Sequence, residues 1–106
     1  MNDKQRMDTI KENLTRVKDN IERVASMPSP EQQNDTLYVA ILKAKEAAVY
    51  LLDLETVQPK DTIKSLLLTI DKLALAMSES KKAPSLANAT KALTDTTSSL
   101  PKIVLQ

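Results

Sequence analysis

No glycine occurs anywhere in these 106 residues. Glycine is the residue that reaches φ > 0 without steric cost, so tight β-hairpin turns, the usual helix C-cap and phosphate-cradling loops all lean on it. Dinucleotide fingerprints and P-loops are excluded outright, because both need glycine where the backbone meets phosphate. What remains is a chain without the easy route to left-handed turns. Helices joined at prolines are the simplest way to build one.

The hydrophobic pattern agrees. No stretch alternates apolar and polar residues with period two over a useful length, whereas four segments carry a helical period separated by proline-marked breaks. The first spans about residues 3–26 and places Met7, Ile10, Leu14, Val17, Ile21 and Val24 at 3-4-3-4-3 spacing. That is a narrow heptad stripe, suited to a short coiled coil or to one helix of a bundle. Glu12 with Arg16 and Asp19 with Arg23 add favourable i,i+4 pairs on its wet side.

In MPSPEQQ, Ser29, Pro30 and Gln32 fit the N-cap, N1 and N3 positions of a second helix over about 30–56. Pro59 at N1, or Asp61 as N-cap, opens a third over about 60–79. Pro84 or Ser85 opens a fourth over about 85–99, and Pro101 stops it, leaving an apolar tail at 101–106. The fourth is the weakest member. Its stripe of Leu86, Ala89, Leu93, Thr96, Thr97 and Leu100 is thin, and TDTTSS has poor helix propensity. Short connections favour antiparallel neighbours, so the predicted fold is a single all-α domain, an up-down-up-down antiparallel four-helix bundle.

The same composition removes most chemistries. Without cysteine there is no disulfide, thiolate nucleophile or thiolate zinc site, and without histidine the commonest metal ligand and near-neutral proton carrier is gone. No metal and no cofactor is expected. Asp71 and Glu79 lie two turns apart, too far for one ion without a further helix. Glu55 falls on the Leu37, Ala48 and Leu51 side of the second helix, where a carboxylate can be a buried general acid, but at the helix end it more often reaches solvent. An enzyme using carboxylate or tyrosine chemistry would rest on Glu55 and the tyrosines alone, and the chain is expected not to be an enzyme.

Nucleic acid is not an expected partner either. The net charge is +1, the pairs Lys43/Lys45 and Lys81/Lys82 are too sparse for a phosphate track, and only Tyr38 and Tyr50 are aromatic. Membrane insertion is not expected. The greasiest run, LYVAILKAKEAAVYLLDL, contains four charges that would each cost roughly 2.5–3.5 kcal/mol near the bilayer centre. The start of the chain has no apolar signal region, so a cytoplasmic location is the default expectation.

What stands out is apolar surplus. The second helix has a main face of Leu37, Ala40, Ile41, Ala44, Ala47, Ala48, Leu51 and Leu52, a second ridge of Tyr38, Leu42 and Val49, and a third group of Val39, Tyr50 and Val57 on nearly the opposite side. One bundle hides the first and part of the second. The third helix has a core stripe of Ile63, Leu66, Leu67, Ile70, Leu73, Ala74 and Met77, with Leu68 and Leu75 pointing away one heptad apart. These features point to a non-catalytic helical protein–protein interaction module (an adaptor, regulator or chaperone-like binder) that forms a homodimer through the second helix. The expected partner-binding residues are Tyr38, Leu42, Val49, Tyr50, Leu68 and Leu75. Size and architecture alone also suit a small cytosolic immunity or antitoxin-type bundle.

Overall fold

A computed structural model describes residues 1–105. Its elements are α1 (Asp3–Val24), α2 (Pro30–Leu52), α3 (Lys60–Ser78) and α4 (Ala83–Ser99), followed by a short 3-10 turn (Leu100–Lys102). The described residues contain no strand. Each helix lies against the next in the chain, and α1 meets α4 only lightly, which makes a four-helix bundle with one loose seam. Antiparallel order is visible in bonds that join helix ends. Asp3, at the start of α1, binds residues just past the end of α2. Thr62, at the start of α3, lies 2.6 Å from Ser99 at the end of α4.

Helix starts follow local sequence. Ser29 caps α2 by accepting from the Gln32 N–H at 3.2 Å, with Pro30 at N1 as expected. The Asn2–Gln5 pair forms a full capping box on α1, with bonds of 2.8 and 2.9 Å in the two directions. The signal N-x-x-Q was present in the sequence and overlooked. Pro59 is the N-cap of α3, not its N1, and Asp61 lies inside the first turn. Helix α4 begins two residues before Ser85, at Ala83.

Helix ends show how the chain manages without glycine. No described residue has positive φ. The last-turn carbonyls are instead taken by side chains: Ser26, Ser78 and Ser99 each donate to the carbonyl three residues back at 2.7–2.8 Å. Lys82 Nζ donates to the Ala76 and Glu79 carbonyls at 2.8 and 2.9 Å. A lysine at a helix C-terminus meets both the unpaired carbonyls and the negative end of the helix dipole.

The α1 stripe is buried at all six expected positions. Other expectations shift. Helix α2 ends at Leu52 and not near Thr56, because the Glu55 and Thr56 N–H groups bond to Asp3 and no longer serve a helix. In α3 the buried residues are Thr62, Leu66, Thr69, Leu73 and Ala76, while Leu67 and Ala74, assigned to the core by periodicity, are exposed. The cause is α4, which offers Ser85, Ala89, Ala92 and Thr96 to the interior. A small-residue stripe at Thr62, Thr69 and Ala76 lets that helix come close and rotates α3 toward it. The buried hydroxyls are satisfied: Thr69 donates to Ser65 O, Thr96 to Ala92 O, and Ser99 donates to Thr96 O while receiving from Thr62. Thr97 of the expected α4 stripe is exposed, and Leu86 is half-buried. Beyond the 3-10 turn, Ile103 and Leu105 pack partly against the core. The last residue of the expected tail, Gln106, lies outside the described residues.

Candidate interaction face on helices two and three

The two flanks of α2 can be told apart. Val39 and Lys43 line a depression with Arg16, Asp19, Asn20 and Arg23, so their flank turns toward α1. At about 100° per residue, Tyr38, Leu42, Val49 and Leu52 lie on the other flank, toward α3. On α3, the Thr62–Thr69–Ala76 row faces α4. The next row, Ile63, Ile70 and Met77, is half-buried and turns toward α2. Leu67 continues outward past that row, and Leu68 and Leu75 lie further round, opposite the core.

Tyr38, Leu42, Val49 and Leu52 share one outward face with Leu67 over the α2–α3 seam, whereas Leu68 and Leu75 lie beyond Lys64 and Asp71, on the side of α3 away from α2. Tyr38, Leu42, Val49 and Leu52, with Leu67, Leu68 and Leu75, are each between 45 and 54% exposed. Five of the six expected partner-binding residues are therefore surface residues: Tyr38, Leu42, Val49, Leu68 and Leu75. Tyr50 is not one of them in the same sense. It is half-buried and packed against the core, because it lies one heptad beyond Lys43 on the flank that α1 covers. Val57, grouped with it by periodicity, packs against the core from the α2–α3 connection.

Leu52 and Leu67 belong to the face and were missed, having been assigned to the core. A readable signal existed for Leu67. The heptad row of small residues Thr62, Thr69 and Ala76 fixes which side of α3 takes a close neighbour, and so moves Leu67 outward.

The most organised polar cluster lies elsewhere, at the base of α1. Asp3 is buried and accepts from the Glu55 N–H at 3.0 Å, the Thr56 N–H at 3.1 Å and the Thr56 hydroxyl at 2.8 Å. Arg6 Nη1 adds a charged bond at 2.9 Å. These donors, the Glu55 N–H first, hold the Asp3 carboxyl down to about 2, against the opposing pull of burial. With its oxygens engaged by the chain's own donors, Asp3 acts as a clasp between α1 and the α2–α3 connection. Glu55, the candidate buried acid, has its side chain in solvent, 3.7 Å from Arg6. Glu79 accepts from Ser85 Oγ at 2.6 Å, which leaves it and Asp71 in unrelated surroundings. Among the described residues no three acidic side chains gather as a metal-holding group. No described helix is long and apolar enough to cross a membrane.

One concavity follows the loose α1–α4 seam, smaller than the open one of about 550 Å³ between the α2–α3 connection and the end of α4. It is a shallow cavity of about 190 Å³ floored by Ile21 and Leu93, with Lys18 and Glu22 on one rim and Thr90, Thr94 and Thr97 on the other. Its rim side chains are exposed and do not converge on a common point as a reacting centre requires. Comparison with known protein families, with characterised proteins and with solved structures finds no match to this chain.

Proposed function

We propose that this chain is a non-catalytic protein–protein interaction module that self-associates into a homodimer through the outward face of α2 and α3. The observation that supports this reading is that Tyr38, Leu42, Val49, Leu52 and Leu67 are half exposed along the α2–α3 seam, while α1 leaves none of its stripe exposed. These five residues lie over one seam, and a contiguous apolar patch of this kind marks an interaction surface. Its single aromatic residue, Tyr38, implies many modest contacts and no dominant anchor.

A Leu42→Lys/Val49→Lys variant tests the reading by light scattering and helicity. Both positions are exposed, and lysine is a good helix former, so the subunit keeps its fold. Against an apolar partner the two ammonium groups carry a heavy burial cost. The expected result is native helicity with half the wild-type mass. Wild-type protein that is monomeric at high concentration overturns the homodimer and leaves the face to a foreign protein, as in an immunity-type bundle.

A further inference from the structure

The charges that border the apolar face specify how two copies meet. On α2 they run acidic, basic, acidic along the helix: Glu31 and Asp35 at the start, Lys45 in the middle, Asp53 at the end. On the side of α3 next to Leu67 they run basic, acidic, basic: Lys60 and Lys64 at the start, Asp71 in the middle, Lys81 just past the end, while Asp61 lies further round, beside Leu68. All of these residues are exposed. None of them takes part in an ion pair among the described residues, and Glu46, further round α2, is held by Lys43 at 3.8 Å.

Because α2 and α3 are antiparallel neighbours, the Asp53 end of one lies beside the Lys60 end of the other. The Glu31 end likewise lies beside Lys81, and Lys45 and Asp71 stand within about one turn of the same level. A face-to-face twofold dimer has two simple arrangements. With the axis across the helices, each helix stacks on its own copy, which sets Lys60 against Lys81 and Asp71 against Asp71 of the second copy. With the axis parallel to the helices, α2 of one copy stacks on α3 of the other at the same level. Lys45 then meets Asp71, Asp53 meets Lys60 and Glu31 meets Lys81, twice each.

Resting on the homodimer reading above, we infer that the occupant of the α2–α3 face is a second copy of this chain, related by a twofold axis parallel to the helices, with α2 antiparallel on the second copy's α3 and Lys45 paired with its Asp71. The pattern is self-complementary in that arrangement and self-repelling in the other, and electrostatic complementarity of this kind fixes orientation more than it sets affinity.

The experiment uses Lys45→Glu and Asp71→Lys as separate proteins and as a mixture, one of them ¹⁵N-labelled, followed by sedimentation and native mass spectrometry. Circular dichroism checks that both keep wild-type helicity. Each variant alone places like charges together at two places in its dimer and is expected to dimerise roughly tenfold or more weakly than wild type. The mixture restores both pairs and is expected to form one-to-one heterodimers with near wild-type affinity. A dimeric wild type whose single variants dimerise unchanged, with no preference for mixed pairs, overturns the proposed axis while leaving the face intact. A wild type that never dimerises overturns the homodimer reading, and this inference with it.

Discussion

The two helical hairpins of this bundle are built from different materials. The first, α1 with α2, is filled by large aliphatic side chains such as Ile10, Val17, Leu37 and Leu51, and Asp3 ties its open end to the connection that follows. The second, α3 with α4 and its closing turn, buries only Leu66, Leu73, Leu93 and Leu100 as large side chains and adds the small residues Thr62, Thr69, Ala76, Ser85, Ala89 and Thr96, so its seam is close but leaner in apolar area. Burial of apolar surface stabilises in proportion to area, at roughly 25 cal/mol per Å². A seam rich in alanines and threonines therefore holds less tightly than one filled by large aliphatic side chains, however near the backbones come. The comparison teaches that closeness and strength are separate quantities, and that stability in this molecule is concentrated in the first hairpin.

The largest test of that contrast is a pair of truncations. Leu51→Ala should cost about 2–5 kcal/mol by urea unfolding, as deletion of a fully buried leucine does. Thr96→Ala, equally buried but removing far less apolar volume, should cost about 1 kcal/mol. Equal losses would erase the distinction between the hairpins.

A second test addresses the Asp3 clasp by pH. The folded carboxyl titrates at about 2, and an unfolded aspartate near ~3.9. As pH falls, the unfolded chain takes up the proton first, so the clasp's contribution is complete above the unfolded value. It declines between those two values and is gone below the folded one. Thermal unfolding of wild type should show this loss, and the gap between wild type and Asp3→Asn should close over the same window. A gap that persists unchanged at pH 2 would mean that the Asp3 charge contributes nothing.

The mildest perturbation is hydrogen exchange in the unmodified protein. Amides of residues 89–99 in α4 should exchange before those of residues 44–52 in α2, because α4 borders both the lean seam and the loose α1–α4 groove. Equal protection would show that the second hairpin opens only when the whole molecule does.

Much of the fold was legible because it is local. The α1 stripe, the Ser29 cap and the four-helix count follow from periodicity and proline placement, which neighbouring residues enforce on one another. What escaped was set at a distance. The end of α2 at Leu52 depends on a carboxylate about fifty positions earlier in the chain, at Asp3. The rotation of α3 that exposes Leu67 depends on the small residues α4 brings to it, and the partial burial of Tyr50 on where α1 lies. For the exposed apolar face, the ridge of Tyr38, Leu42 and Val49 could be read from a helical wheel. Its continuation through Leu52 and Leu67 required the phases of both helices at once.

The serine and lysine caps have a consequence for the denatured chain. Because these side chains close the helix ends, no described position calls for a left-handed backbone, and every residue carries a β-carbon or a proline ring. An unfolded chain with no glycine samples fewer backbone states, so less disorder is surrendered when it folds. The same property leaves the backbone indifferent to which non-proline side chain occupies most positions. Substitution along this chain is then limited by packing, polar partners and charge, and not by torsion angles that only one amino acid can adopt.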